Sequence, residues 1–274
     1  MITAQIGVFM KIESLLDKMW KDYIAMNPEA KKIYDLFTSE GETVANDHIA
    51  LRTFNDPRVC VDVLAKPFLK AGYKESGDYH FTDKKLYAKH YEHSDENLPK
   101  IFISELLLEE FDGELFSIVD SLIEQIPAKK IKQDDFCFSG RPWKIDFKTY
   151  EILRERSEYA AWLAAWGYRP NHFTVLINKL KKYNDIRALN QFIKSKGFVL
   201  NTSGGEIKGT PDVFLEQSST LANNIEVKFK DGIHKIPACY YEFAQRYRLS
   251  DGKFYQGFVA KSADKIFEST DKGQ

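Results

Sequence analysis

Cysteine is scarce in this chain, and the few cysteines present are not arranged as a site. The 274 residues contain only Cys60, Cys137 and Cys239, and no two of them form a C-x-x-C pair. An odd number of widely separated cysteines fits neither a disulfide framework nor a zinc knuckle. We therefore expect buried thiols in a reducing, cytoplasmic compartment.

Long apolar runs and an excess of one charge are also missing. No window reaches the ~18 uninterrupted apolar residues of a membrane-spanning helix, and the opening "MITAQIGVFMKIE" has no basic region before an apolar stretch. Lysine and arginine number 39 and aspartate and glutamate 40, without a run of like charges. We therefore expect a soluble protein with neither a nucleic-acid nor a membrane partner.

The sequence does contain ample material for a core and clear helix signals near its start. It is 43% hydrophobic and 14% aromatic. Residues 11–38 carry apolar side chains at helical spacing, and Asn27 before a proline predicts that a second helix starts there. Asp56 before a proline and Gly72 predict the cap and the end of a further helix, in which Pro67 predicts a kink or an early end.

A strand with two unusual polar residues precedes that third helix. The stretch "NDHIALRTF" at 46–54 alternates as a half-buried strand, and its alternation places on one face His48, Ala50, Arg52 and Phe54. At about 3.3 Å per residue, His48 and Arg52 would lie about 13 Å apart along that face. This spacing suits a small ligand held at both ends.

The layout of this region occurs twice in the chain. "NHFTVLINKLKKYNDIRALNQFIKSKGF" repeats "DHIALRTFNDPRVCVDVLAKPFLKAGY": each begins with Asn/Asp-His, continues as a strand, enters a helix near an aspartate and ends with glycine and an aromatic residue. The spacing from His48 to Gly72 differs by one residue from the spacing between His172 and Gly197. Strands follow each helix, so the pattern predicts an α+β fold of duplicated βαβββ modules whose mixed sheet curls around a shared cavity.

These patterns predict a single domain with five parts. N-terminal helices take residues 1–45, the first module 46–111, a helical insertion 112–169, the second module 170–260 and a C-terminal tail 261–274. The insertion contains "ELFSIVDSLIEQI" and "EYAAWLAAWGY", neither of which indicates catalysis. In the second module, "DVFLEQSSTLA", "NIEVKFK" and, beyond an Asp-Gly turn, "IPACYYEFAQRY" are predicted strands.

The repeat distinguishes two of the six histidines. The first strand of each module carries a histidine at the same position, His48 or His172, and two-fold packing can bring the two together. The other four lie in or beside charged hairpins and turns, where a solvated surface position is expected: His80, His90, His93 and His234.

A carboxylate on a later strand could complete a metal site. Glu242 lies between Tyr241 and Phe243 in a strand that otherwise requires burial, so its charge needs a partner. A metal is one such partner, and two imidazoles with one carboxylate suit non-haem Fe(II) enzymes that use O₂. Glu105 in "FISELLL" is interpreted as the counterpart of Glu242 in the first module, acting as a fourth ligand, as a group behind the ligands or as a salt-bridge member.

Four segments, "DHIALRTF", "YRPNHFTVLIN", "LEQSSTLA" and "YYEFAQRY", together resemble the 2-oxoadipate dioxygenase/decarboxylase family over about residues 40–260. The resemblance implies a vicinal-oxygen-chelate, or glyoxalase-like, fold. It implies His48, His172 and Glu242 as iron ligands and Arg52 as the residue that holds the distal carboxylate of the substrate. The implied reaction uses O₂ to convert 2-oxoadipate to 2-hydroxyglutarate and CO₂ in bacterial lysine catabolism. This chain lacks sizeable insertions of the well-known members.

Three functions remain open at this point. The first is this Fe(II) dioxygenase, acting on a dicarboxylic 2-oxo acid. The second is a glyoxalase-like lyase, isomerase or hydrolase that uses Zn²⁺ or Ni²⁺ as a Lewis acid, and the third is a metal-free small-molecule-binding module. The sequence favours the first because two histidines and one carboxylate leave more open positions than a four-ligand cage.

Overall fold

A computed structural model describes residues 11–260, and the predicted tail 261–274 lies outside this range. The chain starts with two helices, α1 (Ile12–Met26) and α2 (Pro28–Ser39). The side chain of Asn27 accepts a hydrogen bond from the backbone N–H of Ala30, which satisfies one free donor at the start of α2. The predicted start of a second helix after Asn27 is therefore confirmed.

The two modules follow, separated by four helices. The first contains β1 (Asn46–Phe54), α3 (Val61–Lys70), β2 (Lys74–Phe81), β3 (Leu86–Glu92) and β4 (Lys100–Leu106). The insertion forms α4 (Gly113–Glu124), α5 (Ala128–Ile131), α6 (Phe147–Arg156) and α7 (Glu158–Trp166). The second module contains β5 (Pro170–Leu176), α8 (Ile186–Ser195), β6 (Lys208–Thr210), β7 (Leu215–Ser219), β8 (Asn224–Phe229), β9 (Gly232–Pro237) and β10 (Tyr240–Arg246).

Eight of these strands form one mixed sheet in the order β2-β3-β4-β1-β5-β10-β7-β6. The two modules meet where β1 and β5 pair antiparallel in its centre. On either side the same pattern recurs: β4 runs parallel to β1 and antiparallel to β3, and β10 runs parallel to β5 and antiparallel to β7. The duplicated α+β fold is therefore confirmed.

Two details of the modules differ from the sequence prediction. The predicted strand "NIEVKFK" is β8, but it pairs with β9 in a separate two-stranded sheet, and the short edge strand β6 takes its place. The helix α3 starts at Val61 rather than near Asp56, because Asp56 caps a turn by accepting from the backbone N–H groups of Arg58 and Val59. Pro67 lies inside α3, which continues for one further turn.

One face of the sheet packs against the helices and forms the apolar core. Trp20 of α1 contacts Phe173 of β5 with ring centroids 5.0 Å apart, and Phe37 of α2 contacts Phe243 of β10. The three phenylalanines are fully buried, and full burial of such a side chain contributes roughly 1.5–3 kcal/mol. The strand β1 is buried on both faces rather than half-buried because it lies in the centre of the sheet.

The opposite face of the sheet is polar although it is buried. It presents His48, Arg52, Thr174 and Glu242, each at most 3% exposed. Polar groups at this depth require hydrogen bonds, ion pairs or a metal. Within residues 11–260, none of the helices is both long and apolar enough to cross a membrane.

Candidate metal centre

The structure brings together His48, His172 and Glu242 in the buried polar face. One ligand atom from each lies within 4.8 Å of the others. The Nε2 atoms of the two histidines are 3.3 Å apart, and Glu242 places Oε1 3.6 Å from His48 Nε2 and Oε2 3.3 Å from His172 Nε2. Side chains converge in this way around a single ion.

The strand register explains why these three residues meet. In the central pair His48 of β1 lies opposite Thr174 of β5, two residues along from His172. On the other side of β5, Glu242 of β10 is the direct neighbour of the same Thr174. Three adjacent strands therefore each contribute one side chain to one point of one face.

Each histidine is oriented by the residue that precedes it. The Nδ1 atom of His48 lies 2.8 Å from Asp47 Oδ2, and Nδ1 of His172 lies 3.1 Å from Asn171 Oδ1. Both partners are acceptors, so each Nδ1 carries the proton and each Nε2 keeps its lone pair for a metal. The Asn/Asp-His signal in the sequence thus has a physical role that the sequence analysis missed.

The electrostatics of the group favour neutral imidazoles. Burial lowers the pKa of His48, and burial together with the charges of His48 and Arg52 lowers the pKa of His172 well below its ordinary value. Burial raises the pKa of Glu242 to about 8, and this outweighs the opposing hydrogen bond that Gln217 donates to Oε1 at 2.6 Å. A cation would offset the desolvation of this carboxylate.

The donor set fits a divalent metal. Two neutral imidazole nitrogens and one carboxylate oxygen form a common ligand set for divalent transition metals, and they leave positions open for exogenous ligands. The Oε2 atom of Glu242 accepts no hydrogen bond from residues 11–260, although it is buried. A metal would supply the missing partner of this oxygen.

Arg52 is also buried at this face rather than in a surface salt bridge. Its guanidinium carbon lies 4.9 Å from the ring centroid of Tyr159 and 5.0 Å from that of Trp162, so both rings face its charge. The charge of Arg52 adds to the burial that lowers the pKa of His172, and it opposes the burial that raises the pKa of Tyr240. The ring of Tyr240 stacks against that of His172 with centroids 4.6 Å apart. Arg52 therefore lies within electrostatic reach of the group.

The insertion contributes to this site, contrary to the sequence analysis. Tyr159 and Trp162 belong to α7, and the Tyr159 hydroxyl donates to the carbonyl of Ser104 on β4. The Trp162 indole N–H donates to the carbonyl of Ala238, just before β10. No periodicity in the insertion predicts these contacts, because only the packing of α7 against the end of the sheet creates them.

The interpretation of Glu105 as the counterpart of Glu242 is wrong. Ala50 of β1 pairs with Phe102 of β4, and the equivalent residue Thr174 of β5 pairs with Glu242 of β10. Phe102 is therefore the residue equivalent to Glu242. Glu105 accepts a hydrogen bond from the backbone N–H of Val61 at the start of α3. Its counterpart is Gln245, which accepts from Ile186 at the start of α8.

The surface position predicted for His90 is also wrong. This side chain is 2% exposed, because β3 turns it onto the polar face of the sheet. Its Nδ1 lies 2.9 Å from the Tyr79 hydroxyl and its Nε2 lies 2.9 Å from Glu92 Oε1. His80 is exposed as predicted, whereas His93 and His234 are half-buried.

Metal binding to the group is expected to depend on pH through Glu242. Its pKa of about 8 means that metal must displace a proton below that pH, so affinity should rise about tenfold per pH unit and level off above it. In the metal-free protein, the free energy of unfolding should instead fall as the pH rises. The raised pKa of Glu242 stabilises the folded state fully below pH 4.5, and this contribution is lost as the pH rises to about 8. Titration with Co²⁺ across this range measures the first effect, and affinity independent of pH would contradict it.

Known proteins are similar to this chain in sequence and fold. The family model described as 2-oxoadipate dioxygenase/decarboxylase matches residues 9–131 and 135–255. The chloroplastic 2-oxoadipate dioxygenase/decarboxylase of Arabidopsis thaliana is 35% identical over 284 aligned positions, covering 94% of this chain and 76% of the relative.

Two crystal structures are similar over nearly the whole chain. A candidate hydrolase from Shewanella frigidimarina is 52% identical with a TM-score of 0.89, covering 93% of this chain and 100% of that protein. The hydroxyglutarate synthase of Oryza sativa in complex with 2-oxoadipate is 34% identical with a TM-score of 0.89, covering 95% and 92%.

Proposed function

Because the chain belongs to the 2-oxoadipate dioxygenase/decarboxylase family, we propose that it is an Fe(II)-dependent enzyme that converts 2-oxoadipate with O₂ to 2-hydroxyglutarate and CO₂. The carbon, hydrogen and oxygen atoms balance in this reaction. The carboxylate next to the keto group leaves as CO₂, and the keto carbon becomes the new carboxylate. One oxygen atom of O₂ enters this carboxylate, and the other enters the hydroxyl group. No external reductant is required.

The observation that carries the proposal is the convergence of two Nε2 atoms and one carboxylate within 4.8 Å. His48, His172 and Glu242 would hold the metal. Iron(II) bound there would supply redox chemistry and positions for the 2-oxo acid and O₂. Burial of all three side chains keeps bulk water from the reacting atoms.

We assign to Arg52 the binding of the distal carboxylate. Its guanidinium is a planar, permanently charged donor, held between Tyr159 and Trp162 at 4.9 and 5.0 Å. These rings fix its position in a buried environment, where a charge-assisted hydrogen bond is stronger than in water. A diacid chelated at the metal end would then be bound at both ends.

We further propose that the protein acts in the cytoplasm as one domain with the five parts described above. Free thiols at Cys60, Cys137 and Cys239 support a reducing compartment, although Cys60 is half-buried rather than buried. The partners proposed are a 2-oxo acid and O₂.

A comparison of metals tests the function. Protein purified without oxygen is expected to contain about one iron per chain and to take up O₂ with 2-oxoadipate. The same protein loaded with Zn²⁺ is expected to take up none, because zinc has no redox chemistry.

The alternative function has a distinct outcome in this test. A lyase, isomerase or hydrolase would be active with Zn²⁺ and would take up no O₂ with any 2-oxo acid. Turnover of a glutathione hemithioacetal or of an ester by the zinc form would overturn the dioxygenase proposal. Loss of all binding of 2-oxo acids and metals would instead favour a binding module for another ligand.

A further inference from the structure

Arg246 joins two parts of the molecule that are far apart in the sequence. It lies on β10 four residues beyond Glu242, and it is 3% exposed. Its Nε and Nη2 atoms donate to the two carboxylate oxygens of Asp47 at 2.5 and 2.8 Å. Its remaining nitrogen, Nη1, donates to the carbonyls of Tyr255 and Gly257, each at 2.9 Å. All three guanidinium nitrogens are therefore used.

The first of these links leads to His48. Asp47 accepts from His48 Nδ1 at 2.8 Å and from Arg246 at the same time. The hydrogen bond between Nδ1 and Asp47 helps to keep Nε2 of His48 directed at Glu242. Arg246 donates to both carboxylate oxygens of Asp47 and thereby holds the carboxylate in this position.

The second link leads to residues 254–258, which we call the closing segment. Phe258 in this segment places its ring 4.8 Å from the ring of His48, edge to face, and 5.3 Å from the guanidinium carbon of Arg246. Its backbone N–H donates to the Tyr79 hydroxyl at 3.1 Å. The closing segment thus covers the imidazole that Asp47 orients.

We propose that Arg246 is a positioning residue that couples metal retention at His48 to closure of the closing segment. The inference rests on the proposed metal site. One rigid guanidinium sets the position of Asp47 and that of the segment, so ordering either one favours the other. When metal fixes His48, Asp47 and Arg246 are ordered with it, and the carbonyls of Tyr255 and Gly257 gain a fixed donor.

Arg246→Lys is the variant that separates charge from geometry. Lysine keeps a positive charge beside Asp47, which avoids an unpaired buried carboxylate. Its single ammonium group cannot reproduce the planar fork to Asp47 together with the donors to the Tyr255 and Gly257 carbonyls. The coupling should therefore be lost while the charge is kept.

The experiment measures Co²⁺ affinity by absorbance and amide hydrogen exchange in peptides that cover residues 254–258. In the wild-type chain, Co²⁺ is expected to slow this exchange. In Arg246→Lys, affinity is expected to fall by roughly 10–100-fold, as for loss of groups that orient a ligand, and saturating Co²⁺ should no longer slow exchange. Peptides from α3 should exchange equally in both proteins.

Tyr79→Phe is the matched control, because it removes a different hydrogen bond to the closing segment and leaves Arg246 in place. It should speed exchange without metal, keep Co²⁺ affinity close to wild type, and still show slower exchange with Co²⁺. If Arg246→Lys does not fold, Asp47→Asn is used, which keeps an acceptor for His48 but loses the charge that holds Arg246. Asp47→Asn is expected to show the same weaker Co²⁺ affinity and the same loss of slowed exchange with Co²⁺.

The outcomes distinguish the coupling from the metal site itself. Wild-type affinity in Arg246→Lys or Asp47→Asn, or Co²⁺ slowing exchange in them as in wild type, overturns the coupling and leaves the proposed function standing. Failure of the wild-type chain to bind Co²⁺ overturns both.

Discussion

Glu242→Gln is expected to abolish metal binding, whereas Glu105→Gln is expected to leave it intact. The two substitutions are chemically identical and lie three positions apart on equivalent strands. Glu242 supplies the only carboxylate of the candidate group, and an amide is a poor ligand for Fe(II). Glu105 instead accepts from the Val61 N–H. Its counterpart Gln245 does the same for α8 with an amide oxygen, so glutamine should keep this cap.

Metal content after purification without oxygen measures the difference. Circular dichroism serves as the control for folding of both variants. If Glu105→Gln loses metal as completely as Glu242→Gln, the site has four protein ligands, and the lyase alternative gains support. Retention of metal by Glu242→Gln would remove Glu242 from the ligand set.

Wild-type protein is expected to prefer 2-oxoadipate strongly over 2-oxohexanoate, which lacks the distal carboxylate. A monocarboxylic substrate would lose the charge-assisted hydrogen bonds that we assign to the distal carboxylate and Arg52. The expected loss is roughly 2–5 kcal/mol in transition-state binding, on the order of 30- to several-thousand-fold in kcat/KM. In Arg52→Lys, the diacid should bind more weakly by about 1–3 kcal/mol, because the planar fork is lost.

Arg52→Met should abolish the preference and leave metal content unchanged. Arg58→Met is the matched control, because Arg58 is an exposed arginine that pairs with Asp56 and Asp120 at the surface. Steady-state kinetics with both substrates measures the ratio in each protein. Unchanged kcat and KM for 2-oxoadipate in Arg52→Met would remove Arg52 from the site.

Local patterns were sufficient to predict most of the strands and helices of the modules. The strand predicted at 46–54 is observed with the same bounds, because alternation and flanking turns define a strand locally. The duplication of the Asn/Asp-His pattern predicted that His48 and His172 would approach each other, and their Nε2 atoms are 3.3 Å apart. A repeat carries information about long-range pairing that single elements lack.

Properties that depend on register or on distant packing could not be read from the sequence. The interpretation of Glu105 as the counterpart of Glu242 failed because the strand register defines which residues are equivalent, as in the pair of Ala50 with Phe102. Similarity of the local sequence does not predict this register. We predicted a solvated position for His90, yet its place on the polar face of the sheet buries it. Tyr159 reaches Arg52 only through the packing of α7.

Turnover of 2-oxoadipate by the iron-loaded protein under ¹⁸O₂ tests the central claim most directly. Mass spectrometry of the product should find 2-hydroxyglutarate with one heavy oxygen in its carboxylate and one in its hydroxyl group, in equal amount to the O₂ consumed and the CO₂ released. Product formed without consumption of O₂, or product without heavy oxygen, would contradict the assignment of this site to a dioxygenase.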